Sequence, residues 1–167
     1  MQNHWFKNTG RRDKTPVIVS PADGQCVPLH TVKDEVFSTG ILGEGVAIIP
    51  SSGEIYAPVD GVVQTVAETK HAVSITADCG AEILIHCGLD TVALGGEGFS
   101  TFVSVGERIT PGKLLLKFDP ALIKSRGYEI TTPVVVVNAD AFSLSLPDAQ
   151  ASVRRGEPLI RLKKKQD

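Results

Sequence analysis

The stretch HAVSITADCGAEILIHC, residues 71–87, reads as two short strands folded about a turn. Val, Ile and Thr dominate both arms, and Asp78, Cys79 and Gly80 separate them as a hairpin turn requires. Folded antiparallel about residues 78–80, positions whose numbers sum to about 157 face one another, which sets His71 across from His86. Their Cβ atoms are then expected roughly 4.5–5.5 Å apart. Alternation puts Glu82, Leu84 and His86 on one face, and Ile83, Ile85 and Cys87 on the other. His71 is expected to share its face with Val73 and Ile75, on a mainly apolar surface with Thr69 and Asp90 at its rim. Two imidazoles side by side strongly disfavour being protonated together.

Outward from this hairpin the same pattern recurs. PVIVS (16–20), GVAIIP (45–50), GVVQTVA (61–67), KLLLKF (113–118) and TPVVVVN (132–138) are further aliphatic and β-branched runs. The 16 glycines and 10 prolines supply the breaks between them. Only DPALIKSRG (119–127) reads as a helix, with Pro120 at its first position and Gly127 past its end. The predicted class is all-β: an antiparallel β-sandwich or barrel-sandwich hybrid with at most short helices.

Two echoes point to internal duplication. SPADGQCVPL (20–29) and APVDGVVQTV (57–66) share Pro-x-Asp-Gly followed by an alternating strand. VSVGERITPGKLLLKF (103–118) and ASVRRGEPLIRL (151–162) share a strand, a Gly turn and a new apolar strand. The offset between the echoes predicts two related halves interleaved in one unit. No boundary divides residues 16–162, so one domain over 15–167 is expected behind a flexible leader at 1–14.

Composition narrows the function. The 167 residues carry a formal net charge of −2 and only 5% aromatics, which supports neither a basic nucleic-acid field nor a base-stacking platform. Cys26, Cys79 and Cys87 form neither a disulfide framework nor a C-x-x-C pair, so a reducing, cytoplasmic setting is expected. No apolar run approaches the ~20 residues of a membrane span.

Of the four histidines, His4 and His30 lack chemically interesting neighbours, leaving His71 and His86. A catalytic zinc normally has three protein ligands, and the HCGLD spacing of residues 86–90 matches no zinc motif, although Asp34 or Asp90 could supply a ligand. Cys87 points away from His86, and no nucleophile elbow or phosphate-binding glycine loop is present. Phosphoryl transfer through histidine remains, with one neutral imidazole as nucleophile, the second donating to phosphoryl oxygens, and Thr69 orienting that second ring.

Together, APVDG, ETKHAVSI, EILIHCGLDTVALGGEGF, TPVVVVN and GEPLIRLKK resemble the enzyme IIA domain of the glucose family in the bacterial sugar phosphotransferase system, from about Thr15 to Lys164. The resemblance implies a β-sandwich that takes phosphate from the phosphocarrier HPr and passes it to a cysteine of a sugar-specific IIB domain. On it, His86 matches the phosphorylated histidine, His71 the histidine that stabilises the phosphoryl group, and Thr69 the threonine bonded to that second histidine. Asp34 and Asp90 match flanking acidic residues, and Val36, Phe37 and Val92 match an apolar rim that docks partners. Ala67, Leu84 and Cys87 stand where relatives carry aromatic residues, so the docking surface is less aromatic. The expected protein is a monomer that requires no cofactor, binds no nucleic acid and has at most peripheral membrane association, through the permease. The alternative is a regulatory module whose His86 phosphorylation state controls partners, through a zinc ion shared at His71 and His86; read as a free-standing chain without IIB or IIC segments, it would suit that role. A metal-dependent hydrolase is a third option, disfavoured by the missing third ligand.

Overall fold

The computed structural model describes residues 15–166, so the leader expected at 1–14 and His4 lie outside the described residues. Among those residues there are fourteen strands in three antiparallel sheets. The largest has eight strands, in the order β13 (Ser152–Val153), β2 (Gly24–Pro28), β3 (Glu44–Pro50), β11 (Thr132–Val136), β7 (Glu82–His86), β6 (Ala72–Ala77), β5 (Gly61–Val66) and β9 (Arg108–Ile109). One three-stranded sheet is β1 (Val17–Val19), β14 (Pro158–Lys164) and β12 (Phe142–Ser145). The other is β4 (Glu54–Tyr56), β10 (Leu114–Phe118) and β8 (Phe99–Thr101).

This order resolves the echoes. Gly24 of the first Pro-x-Asp-Gly turn opens β2 and pairs with Val153 of β13. Gly61 of the second opens β5 and pairs with Ile109 of β9 at the far end of the sheet. In the same way β14 is the middle of one small sheet and β10 of the other. The halves are nested: β4 to β10 are contiguous and inserted between β3 and β11 of the other half.

Every predicted strand run is present, and AVSITA matches β6 to the residue. The helix predicted at 119–127 is α2 (Pro120–Ser125), where the Asp119 side chain accepts from Leu122 N and Gly127 takes φ +86°. A second helix, α1 (Glu35–Ser38), was not predicted. Four residues are too few to carry a helical period, and only the Asp34 cap marks it.

At β3 and β11 the large sheet is covered on both faces. Val46, Ile48, Ile83, Ile85, Val134 and Val136 enter the main core, which runs from Ile18 to Leu162. Their alternates Ala47 and Val135 enter a second, smaller core with Val27, Leu29, Val32, Phe37 and Leu89, and Leu84 packs against it. Burial on both faces explains why TPVVVVN is an unbroken apolar run. His86 follows Leu84 by two, so it lies on the face of the smaller core, at its edge.

Candidate functional site

The hairpin register differs from the expected one by a residue. Ala77 N donates to Ala81 O at 2.8 Å and Gly80 N to Ala77 O at 2.9 Å, with Gly80 at φ +94°. That three-residue turn makes Ala77 and Ala81 the closing pair, so His86 faces Ala72 rather than His71. His71 lies opposite Cys87, whose N–H donates to His71 O at 2.7 Å. Strict alternation would send the His71 side chain into the main core with Val73 and Ile75, yet its ring meets His86. The reason is local: His71 precedes β6, after a turn in which Lys70 takes φ +62° and donates to Ala67 O at 2.8 Å. Strand geometry therefore does not bind its direction.

The two imidazoles meet edge to face, with ring centroids 4.8 Å apart and planes at 80°. Each ring has one nitrogen engaged. His86 Nδ1 is 2.8 Å from Gly88 O; a carbonyl only accepts, so Nδ1 carries the proton and Nε2 the lone pair. His71 Nδ1 is 2.7 Å from Thr69 Oγ1. On its other side, His86 packs against Phe37 of α1, ring centroids 5.0 Å apart.

Burial makes both rings neutral bases. It pushes the His71 pKa down to about 4, with the nearby His86 adding to the shift and the backbone of Thr69, as a hydrogen-bond partner, opposing it. Burial also lowers His86, against the Gly88 carbonyl and the carboxylates of Asp34 and Asp90, which favour its charged form. Asp34 is the N-cap of α1, its side chain accepting from Val36 N at 3.0 Å. Asp90 is exposed in the left-handed region at φ +59°.

Val36 and Val92 are exposed beside these groups, as an apolar rim requires. Phe37 is not on that rim. It is only 3% exposed, because it is the residue of α1 that closes the smaller core under His86. Cys87 is buried in the main core, away from His86, and desolvation holds its thiol far above the usual range. His30 is exposed, and all three cysteines are free. Among the described residues no group of three or more His, Cys, Asp or Glu could hold a metal ion.

The Gly88 carbonyl escaped the sequence reading, since a backbone acceptor has no residue signature. Its one trace is the glycine two places after His86, which takes φ +86°. A cleft of about 280 Å³ lies beyond Phe37, lined also by Cys26, Leu29, His30, Val46 and Leu146, and neither His71 nor His86 lines it. The two imidazoles thus lie outside the cleft, rimmed by the apolar side chains of Val36 and Val92 and the carboxylates of Asp34 and Asp90.

The model of the phosphoenolpyruvate-dependent sugar phosphotransferase system EIIA 1 family matches residues 16–142. The chain belongs to this family. The EIIA chain is 47% identical over 146 residues to the PTS system beta-glucoside-specific EIIBCA component of Bacillus subtilis (strain 168), aligning 87% of this chain with 24% of that protein. The component of the same name from Halalkalibacterium halodurans is 44% identical over 160 residues, 95% of this chain and 24% of that protein. The EIIA chain thus spans about a quarter of the length of these curated relatives. Among solved structures, glucose permease IIA from Mycoplasma capricolum superposes with a TM-score of 0.85 at 36% identity, over 90% of this chain and 97% of that one. Membership makes the chain an EIIA component of the sugar phosphotransferase system, and both curated relatives are named EIIBCA components. Among the described residues no helix is long and apolar enough to cross a membrane.

Proposed function

We propose that His86 accepts a phosphoryl group from phosphorylated HPr through Nε2 and passes it to a cysteine of a sugar-specific IIB domain, in support of sugar uptake. The observation that carries this reading is the Nδ1–H bond to Gly88 O at 2.8 Å, which leaves Nε2 unprotonated. In the first step the Nε2 lone pair forms a P–N bond as the donor's P–N bond breaks, and the donor imidazole leaves with that electron pair. The proton stays on Nδ1, where Gly88 O stabilises the positive charge the ring acquires. In the second step a thiolate of IIB forms a P–S bond as the His86 P–N bond breaks, returning the ring to its neutral state.

His71 serves as the electrophilic partner. With Thr69 Oγ1–H donating to its Nδ1, its Nε2–H is free to donate to a phosphoryl oxygen. A pKa pushed to about 4 lets it do so as a neutral ring, not as a competing charge. Asp34 and Asp90 favour a donor or acceptor with a basic surface, while Val36 and Val92 supply apolar contact. Such an interface suits partners that must exchange quickly.

The test is incubation with enzyme I, HPr and labelled phosphoenolpyruvate. Wild type should gain acid-labile, alkali-stable label, His86→Ala none, and His71→Ala should be labelled yet transfer to IIB at least about tenfold more slowly. No label on wild type with active partners overturns the relay; full-rate transfer by His71→Ala overturns the division of roles. The regulatory alternative, with zinc at His71 and His86, needs the further ligands from another molecule, because the described residues offer no third donor beside the pair.

A further inference from the structure

We infer that Thr91 is a positioning residue for the phosphoryl acceptor: its buried hydroxyl holds the backbone before Gly88, so that the Gly88 carbonyl keeps the His86 proton on Nδ1. This rests on the proposal that His86 reacts through Nε2.

Thr91 begins a 3-10 turn (Thr91–Leu94), a place where a hydroxyl ordinarily meets solvent. Here it is fully buried, one of four buried polar residues among those described, and it caps nothing; the N-cap of that turn is Asp90. Its Oγ1–H donates backwards to Cys87 O at 2.6 Å.

The consequence falls on Gly88, whose two flanking peptide planes are both pinned. The plane before it carries Cys87 C=O, held by Thr91. The plane after it carries Gly88 C=O and Leu89 N–H, and Leu89 N donates to Glu129 O at 3.1 Å. On its other side that second plane accepts the His86 proton. Glycine has the softest backbone of any residue, so an acceptor placed on it stays aimed only if both planes are held. Thr91 and Glu129 also crowd this position: a Cβ on Gly88 would lie 2.4 Å from Thr91 Cγ2 and 2.9 Å from Glu129 O. The carbonyl that selects the His86 tautomer is thus aimed by a side chain whose hydroxyl bonds the backbone at Cys87 and not the imidazole.

Thr91→Val removes the hydroxyl at nearly constant shape, and Thr91→Ser keeps it while shedding the methyl. Two readings are taken on each: the His86 ring tautomer, from long-range proton–nitrogen correlation spectra of isotope-labelled protein, and the rate of label uptake from phosphorylated HPr. Thr91→Val should show mixed His86 tautomers and uptake slower by about tenfold to hundredfold. Thr91→Ser should restore the single Nδ1–H tautomer and most of the rate. A purely structural Thr91 would lower the melting temperature of Thr91→Val and leave its tautomer and rate at wild-type values; that result overturns the inference. Mixed tautomers in Thr91→Ser overturn it equally, since the hydroxyl would not be the holding group. Should Thr91→Val not fold, Thr91→Cys takes its place under the same two criteria. The tautomer reading needs no phosphoryl donor, so failure of this inference is distinct from failure of the relay, which wild-type labelling alone reports.

Discussion

At His71, burial moves the imidazole pKa from 6.5 to about 4, while the unfolded chain titrates near the unperturbed value. Below pH 6.5 the unfolded state therefore binds a proton that the folded state refuses. Stability should be level above that pH and fall as pH drops from about 6.5 towards 4, by roughly 3 kcal/mol in all. His86 is shifted in the same direction and adds to the slope. Urea unfolding of wild type and His71→Gln across this range checks the contribution of His71; equal slopes in the two proteins would refute it. This residue scale was the most legible. His71, His86 and Thr69 were all named from local spacing, because imidazole and hydroxyl are chemically marked. The Gly88 carbonyl and the Thr91 clamp were not, because one is backbone and the other is defined by burial.

At the scale of elements, α1 brings Asp34 and Phe37 to the site together. A four-residue helix has no stability of its own, so the cap and the packing of Phe37 against His86 must hold it. Asp34→Ala should lose the bond to Val36 N and about 1 kcal/mol of stability, and Phe37 should no longer hold the ring of His86. Asp34→Asn keeps the cap and removes the charge. Its melting temperature should stay near wild type, and on the proposed relay its binding to HPr should weaken, as read by calorimetry beside thermal unfolding. If both variants melt alike, the cap plays no part. The β6–β7 hairpin shows where element-level reading fell short. Strand identity was plain, but a three-residue turn instead of a symmetric fold-back moved every pairing by one. Turn type sets register, and Asp-Cys-Gly did not settle it.

For the whole molecule, the nested halves place two equivalent glycines at opposite ends of the eight-stranded sheet. A Cβ on Gly24 would lie 2.2 Å from Ile49 O, and one on Gly61 would lie 2.4 Å from Thr76 O. Backbone cannot yield cheaply there, so Gly24→Ala and Gly61→Ala should each cost about 2 kcal/mol or more. The costs should add in the double variant, because the sites share no partners. Denaturant midpoints of the three proteins test this, and a marked departure from additivity would mean the halves are coupled through the sheet. By itself the sequence determined the all-β class, the positions of the strands, the duplication and the two histidines, since these follow from short-range periodicity and from marked residue types. The tertiary structure alone decided that the halves are nested, that α1 forms, and that Phe37 lies under His86 instead of on the rim. It also decided that His71 reaches His86 from outside the strand, through the turn at Lys70 and not through cross-strand pairing. Each of these depends on which surfaces are covered and how a turn closes, and those are settled by contacts between segments far apart in the chain.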